Sequence, residues 1–154
     1  MRASLPGSYD PVTCGHLEII KTAAEKYNEV FAIIFINPDK NYTFSVEERV
    51  KMLALATDAI PNVTVGYSPK MVVDYMREHS IDKIVKGYRN DTDLNYELKQ
   101  AEYNKAHGGY ETELIKCKKD FETISSTEAR IAIENGMPLD GILPHSVIDF
   151  IKNR

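Results

Sequence analysis

The chain has 154 residues, 43% hydrophobic and 27% charged, with 8 glycines and 7 prolines, an ordinary globular usage that excludes disordered and fibrous classes. That length suits one domain over residues 1–154, enough to bury about two-thirds of the surface its unfolded form exposes. A net charge of −4 disfavours the broad electropositive surface of a duplex-binding protein, so no nucleic-acid partner is expected and any bound anion must meet locally clustered cations.

In chain order, MRASLPGSYD lacks the apolar core of a secretory signal, which implies a cytoplasmic location, and Arg2 to Leu5 reads as a first strand. Leu17, Ile20, Ala24 and Tyr27 recur at helical spacing. Val30 to Ile36, the longest apolar run, is β-branched and aromatic apart from Ala32 and is followed by Asn37-Pro38-Asp39. It reads as a strand covered on both faces and is far shorter than the roughly 20 residues a membrane helix needs, so no membrane partner is expected. Ser45-Val46-Glu47-Glu48 has capping-box spacing and opens a helix whose inner face is Val46, Val50, Leu53, Ala54 and Thr57. A strand over Val63 to Tyr67 runs into Ser68-Pro69, which suits an N-cap with proline at the first helical position, and Val72, Val73, Tyr75, Met76 and His79 carry that helix. Ile81 to Val85 is the next strand. A polar helix with Leu94, Leu98, Ala101 and Tyr103 follows, broken at Gly108-Gly109, before a strand around Thr112 to Lys116. Ser125-Ser126-Thr127-Glu128 again has capping-box spacing for a helix through Ile131 and Ile133, and Pro144 to Ile151 closes the chain as a short helix.

Strands alternating with helices predict an α/β fold with a doubly wound parallel sheet, in which ligands sit at the carboxyl ends of the strands. The first such turn runs from Pro6 to His16. Gly7 lets backbone approach a ligand, Ser8 offers a hydroxyl and an N–H, and His16 lies in a first helical turn whose free N–H groups favour anions. That is phosphate-binding chemistry, though neither the Walker sequence nor Gly-x-Gly-x-x-Gly is present. Lys40 and Arg89 follow later strands and could add charge. His79, His107 and His145 have no ligand spacing with one another or with Cys14 and Cys117, so no protein-held metal is expected, and both cysteines are expected as thiols. Cys14 would stand beside bound phosphate.

Gly7, Asp10, Pro11, Gly15 and His16 form the pattern G-x-x-D-P-x-x-x-G-H, which resembles the nucleotidyltransferase signature of the phosphopantetheine adenylyltransferase type. The resemblance continues through Asn37-Pro38-Asp39-Lys40, the run Phe44 to Arg49, Val72 to Tyr75, Lys86-Gly87-Tyr88-Arg89, Tyr96-Glu97 with Asn104, and Thr123 to Thr127. It implies a Rossmann-like nucleotidyltransferase fold and transfer of AMP from ATP to 4′-phosphopantetheine, giving dephospho-coenzyme A and pyrophosphate. In that scheme His16 stabilises the transition state, with Lys40 and Arg89 as further catalytic cations. Ser8, Tyr9, His16, Gly87, Tyr88, Arg89 and Glu97, with Phe121, Glu122, Thr123, Ile124, Ser125, Ser126 and Thr127, are expected on ATP. Ser8, Lys40, Val72 and Lys86 are expected on the acceptor. Mg²⁺ would arrive with the ATP. The resemblance also implies a homohexamer and possible feedback by coenzyme A.

Lys86 stands where the family usually has arginine, keeping the charge without the planar fork. The Ile124-Ser125-Ser126-Thr127 segment is also similar to nicotinate mononucleotide adenylyltransferases, so another acceptor is an alternative reading. A nucleotide-binding module without turnover is another, although it would have no need to combine His16, Lys40 and Arg89.

Overall fold

The computed structural model describes residues 1–154. Strands β1 (Arg2–Gly7), β2 (Glu29–Phe35), β3 (Val63–Ser68), β4 (Lys83–Tyr88) and β5 (Thr112–Lys116) form one sheet in the order β3-β2-β1-β4-β5. All four pairings are parallel, so every connection must carry the chain back across the sheet. The helices are α1 (Cys14–Lys26), α2 (Val46–Thr57), α3 (Val72–Glu78), α4 (Asp91–Gly108), α5 (Ser126–Glu134) and α6 (His145–Asn153). This is the doubly wound, Rossmann-like α/β arrangement that the alternation predicts.

β2 shows why its sequence does not alternate. Val30, Ala32 and Ile34 enter a core completed by Ile20 and Ala23 of α1, Leu53 of α2, Ala129 of α5 and Val147 of α6. Phe31 and Ile33 turn to the opposite face, where Met76 of α3 and Ile84 cover them. Both faces are therefore dry, and a fully buried aliphatic side chain on either contributes about 1.5–3 kcal/mol. The chain builds outward from β1 through β2 to β3, then α3 returns it past β1 to β4. The strand order reverses between β1 and β4, and such a reversal opens a crevice at the strands' carboxyl ends.

Several local expectations need correction. Ser68 ends β3 rather than capping a helix: its Oγ accepts the Lys70 N–H at 3.1 Å, and α3 starts only at Val72. Proline 69 thus serves a turn. The inner face of α2 is Arg49, Met52, Leu53 and Thr57, with Ala54 exposed, because the Arg49 guanidinium is drawn inward. Ile81 is buried but precedes β4, which starts at Lys83. In α4 only Glu97 is buried, while Leu98 and Tyr103 are exposed, so the apolar positions chosen from the sequence do not form an inner stripe. Ser45 forms the full capping box with Glu48, whereas Ser125 accepts the Glu128 N–H without the reciprocal bond. The buried face of α5 is Ala129 and Ala132, and Ile131 faces outward.

Candidate active site

A cavity of about 610 Å³ opens at the carboxyl ends of β1 and β4. A smaller one of about 400 Å³ adjoins it, and Pro6, Gly7, Ser8, Lys40, Lys86, Tyr96 and Glu97 line both. These seven residues mark where ligands of the two spaces would meet.

Thr13 and His16 bridge the entry to α1. The Thr13 N–H donates to Nδ1 of His16 at 3.0 Å, and the His16 N–H donates to Thr13 Oγ1 at 3.2 Å. A ring nitrogen that accepts a backbone N–H must present its lone pair, so the neutral imidazole carries its proton on Nε2. Burial first, and then the positive charges of Lys86 and Arg89, lower the His16 pKa from 6.5 to about 4. The residue therefore faces the cavity as a neutral N–H donor.

The turn between β1 and α1 is locked from beneath. Tyr9 has φ 47°, a left-handed conformation costing roughly 1–2 kcal/mol for a residue with a β-carbon. Its hydroxyl donates to the Leu5 carbonyl at 2.9 Å and its ring meets His16 edge-on, so the surroundings hold that conformation. Asp10 is buried, and its carboxylate accepts the N–H groups of Thr43 and Phe44, both at 2.9 Å. Arg49 ties the same two segments by donating to the carbonyls of Phe44 and Ser8, each at 3.1 Å. On the far wall, Gly87 is dictated by packing, because a β-carbon there would stand 2.6 Å from Ile19 Cγ1.

Four cations line the larger cavity, and three are already paired. Arg89 Nε and one Nη donate to the two oxygens of Asp93 at 2.8 and 3.2 Å. Lys86 Nζ donates to the Pro6 carbonyl at 3.1 Å and lies 3.5 Å from Glu97. Arg130 donates to the Asp10 carbonyl at 2.7 Å and lies 3.8 Å from its carboxylate. Lys40, the fourth, makes no salt bridge and donates only weakly, to Ser8 Oγ at 3.4 Å. The paired cations are oriented by their carboxylates, while Lys40 keeps its whole charge for an incoming anion.

The cytidylyltransferase-like family model matches residues 4–132. The phosphopantetheine adenylyltransferase of Corynebacterium efficiens is 37% identical over all of this chain and 98% of its own length. That of Clostridium novyi is 37% identical over all of this chain and 97% of its own, and that of Cutibacterium acnes 40% identical over all of this chain and 98% of its own. The chain belongs to the phosphopantetheine adenylyltransferase family. It is a nucleotidyltransferase.

Of the residues that resemblance to phosphopantetheine adenylyltransferases singles out, Ser8, Tyr9, His16, Lys40, Lys86, Gly87, Tyr88, Arg89, Glu97, Phe121, Ile124, Ser125, Ser126 and Thr127 line the larger cavity. Glu122 and Thr123 do not, and Val72 lines only the smaller one. Tyr9 is just 5% exposed, so its side chain serves the turn. Gly7 likewise packs against the Tyr9 ring. The thiol at the cavity is Cys117, not Cys14, whose N–H is bonded to the Ile142 carbonyl away from the cavity lining. The sequence gives Asp93 and Arg130 no site role, and Arg49 appears in it only as the end of the Phe44–Arg49 run. The Asp93 spacing of four from Arg89 was the one available signal.

Proposed function

We propose that the chain transfers the adenylyl group of ATP to 4′-phosphopantetheine, releasing pyrophosphate. The observation that carries this reading is the Thr13–His16 pairing, which leaves a neutral Nε2–H donor in a cavity lined by four cations, two of which, Lys40 and Lys86, also line the adjoining one. Both reactants are anions, so the reaction needs alignment and charge stabilisation rather than a side-chain nucleophile. An acceptor phosphate oxygen attacks the α-phosphorus of ATP, the α–β bridging bond breaks, and its electron pair leaves on pyrophosphate. His16 Nε2–H donates to an α-phosphoryl oxygen as its charge rises. Lys40 and Ser8 bring the acceptor phosphate into line, assisted by Lys86. Arg89 holds the nucleotide phosphates, Ser125 and Thr127 offer them hydroxyls, and the start of α5 offers its free N–H groups, while the Ser126 hydroxyl is already donated to the Pro11 carbonyl.

Mg²⁺ bound to the ATP phosphates would neutralise charge on the leaving pyrophosphate. Asp10, Asp93 and Glu97 are each within 4 Å of a cation, and no three His, Cys, Asp or Glu gather as a metal site. That donor set fits an ion carried by the nucleotide rather than one held by the protein. No helix is long and apolar enough to cross a membrane.

The test is pyrophosphate release from MgATP offered separately with 4′-phosphopantetheine, nicotinate mononucleotide and glycerol 3-phosphate. Release with the first alone is expected. Release with only another acceptor would move the substrate assignment, and none with any would favour a binding module.

A further inference from the structure

Lys40 is the one cation of the larger cavity that no carboxylate orients, and it stands on an exposed loop after β2. A lysine there has a long flexible stem, and confining its ammonium to one point costs entropy that some contact must offset. The loop supplies an aromatic ring instead of a carboxylate. Lys40 Nζ lies over the ring of Tyr42, 5.6 Å from its centroid, and reaches Ser8 Oγ at 3.4 Å.

The ring is itself held by two contacts. Arg49 stands over it with Cζ 3.9 Å from the centroid, and the Tyr42 hydroxyl accepts the Asn37 N–H at 3.2 Å. Arg49 is buried and donates to the carbonyls of Phe44 and Ser8, so Tyr42 rests on the same guanidinium that ties down the turn after β1. The loop also closes on itself, with the Lys40 N–H donating to the Asn37 carbonyl at 3.1 Å and the Asp39 N–H to Asn37 Oδ1 at 3.0 Å. Tyr42 lines the smaller cavity and not the larger, whereas Lys40 lines both, so the ring does not stand between Lys40 and the larger cavity.

An aromatic face attracts a cation within about 6 Å through its quadrupole while carrying no net charge. A carboxylate in the same place would orient Lys40 more firmly, but it would also repel an incoming phosphate and compete for the ammonium. The ring confines the lysine without doing either.

We propose that Tyr42 is a positioning residue for adenylyl transfer: its ring, seated on Arg49, holds Lys40 beside Ser8 with the whole charge open to a phosphate. The inference rests on the adenylyl-transfer reading above, in which Lys40 and Ser8 align the acceptor phosphate. Tyr42 acts through Lys40 and touches no reacting atom.

The test is steady-state pyrophosphate release by Tyr42→Leu, Tyr42→Phe, Lys40→Ala and the Lys40→Ala/Tyr42→Leu double variant. Tyr42→Leu should lower kcat/KM for 4′-phosphopantetheine about two- to fivefold, with the KM for ATP nearly unchanged. Tyr42→Phe keeps the ring and should recover most of that loss, since water can take over the exposed Asn37 N–H. In the Lys40→Ala background, Tyr42→Leu should bring no further loss, because the contact it removes is already gone. If Tyr42→Leu does not fold, a phenylalanine carrying three ring fluorines at position 42 keeps the shape of Tyr42→Phe with a weaker quadrupole, and it should turn over more slowly than Tyr42→Phe. Parental kcat/KM in Tyr42→Leu, equal rates for the two phenylalanine forms, or the same fold-loss with and without Lys40 overturns the proposal and leaves the functional reading standing. No pyrophosphate release by the parent with 4′-phosphopantetheine overturns both.

Discussion

The Thr13 N–H and Nδ1 of His16 lie 3.0 Å apart at the start of α1, and the Thr13 hydroxyl accepts the His16 N–H in return. A residue whose ring is oriented by the backbone in this way costs little reorganisation when charge develops nearby. His16→Ala should therefore lower kcat by about 10²- to 10³-fold while changing the KM for ATP only a few-fold. Steady-state kinetics with ATP varied at saturating acceptor checks this, and near-normal turnover would reduce His16 to a helix cap.

Burial of His16 beside Lys86 and Arg89 gives a pH dependence of stability. His16 has a pKa of about 4 in the fold against 6.5 ordinarily. Between these values the unfolded chain binds a proton that the folded chain does not, so this residue favours unfolding increasingly as the pH drops from about 6.5 towards 4. His16→Gln cannot titrate and should lose less stability than the parent between about pH 7 and pH 5. Urea unfolding at the two pH values measures the difference, and equal losses would argue against a lowered pKa.

Asp10, part of the phosphate-turn motif, holds two N–H groups of the segment after β2 rather than a ligand. Asp10→Ala leaves the buried Phe44 N–H and the part-buried Thr43 N–H without a partner and should cost about 1–3 kcal/mol. Thermal and urea unfolding would register it. A loss of activity at unchanged stability would instead make Asp10 a ligand residue.

Gly87→Ala places a β-carbon 2.6 Å from Ile19 Cγ1, one turn along α1 from His16. Overpacking of this kind costs about 1–3 kcal/mol, and pushing α1 outward should lower kcat as well. Ile19→Val in the same chain should recover part of both losses, which a double-mutant comparison of unfolding and turnover would show.

Asp93 grips Arg89 through two bonds and leaves the remaining guanidinium donors free. Asp93→Asn should loosen that orientation and raise the KM for ATP several-fold, with the KM for the acceptor nearly unchanged. A shift in the acceptor KM instead would move Arg89 to the other substrate.

Much of the fold is legible in single segments. The unbroken apolar run after Glu29 announces a strand covered twice, and Ser45 with Glu48 marks a helix start, because both signals lie within a few consecutive residues. The larger cavity is also legible, since Gly7 to His16 is one continuous turn. Asp10 and Arg49 stand within sequence motifs, but their burial does not follow from the motifs, because their partners come from other turns. Arg49 donates to the Ser8 carbonyl 41 residues away, and Arg130 to that of Asp10 across 120 residues.

The sequence by itself determined the strand and helix alternation, the Pro6 to His16 turn and the family, all of which rest on residues close together along the chain or on motifs kept in order. The tertiary structure decided which charges are spent on one another. Asp93 orients Arg89, Glu97 holds Lys86, Asp10 stays near Arg130, and Lys40 alone faces the cavity without a carboxylate. Coulomb and hydrogen-bond energies depend on separations of a few ångströms in space, and only the folded sheet brings four strand ends close enough for those separations to exist.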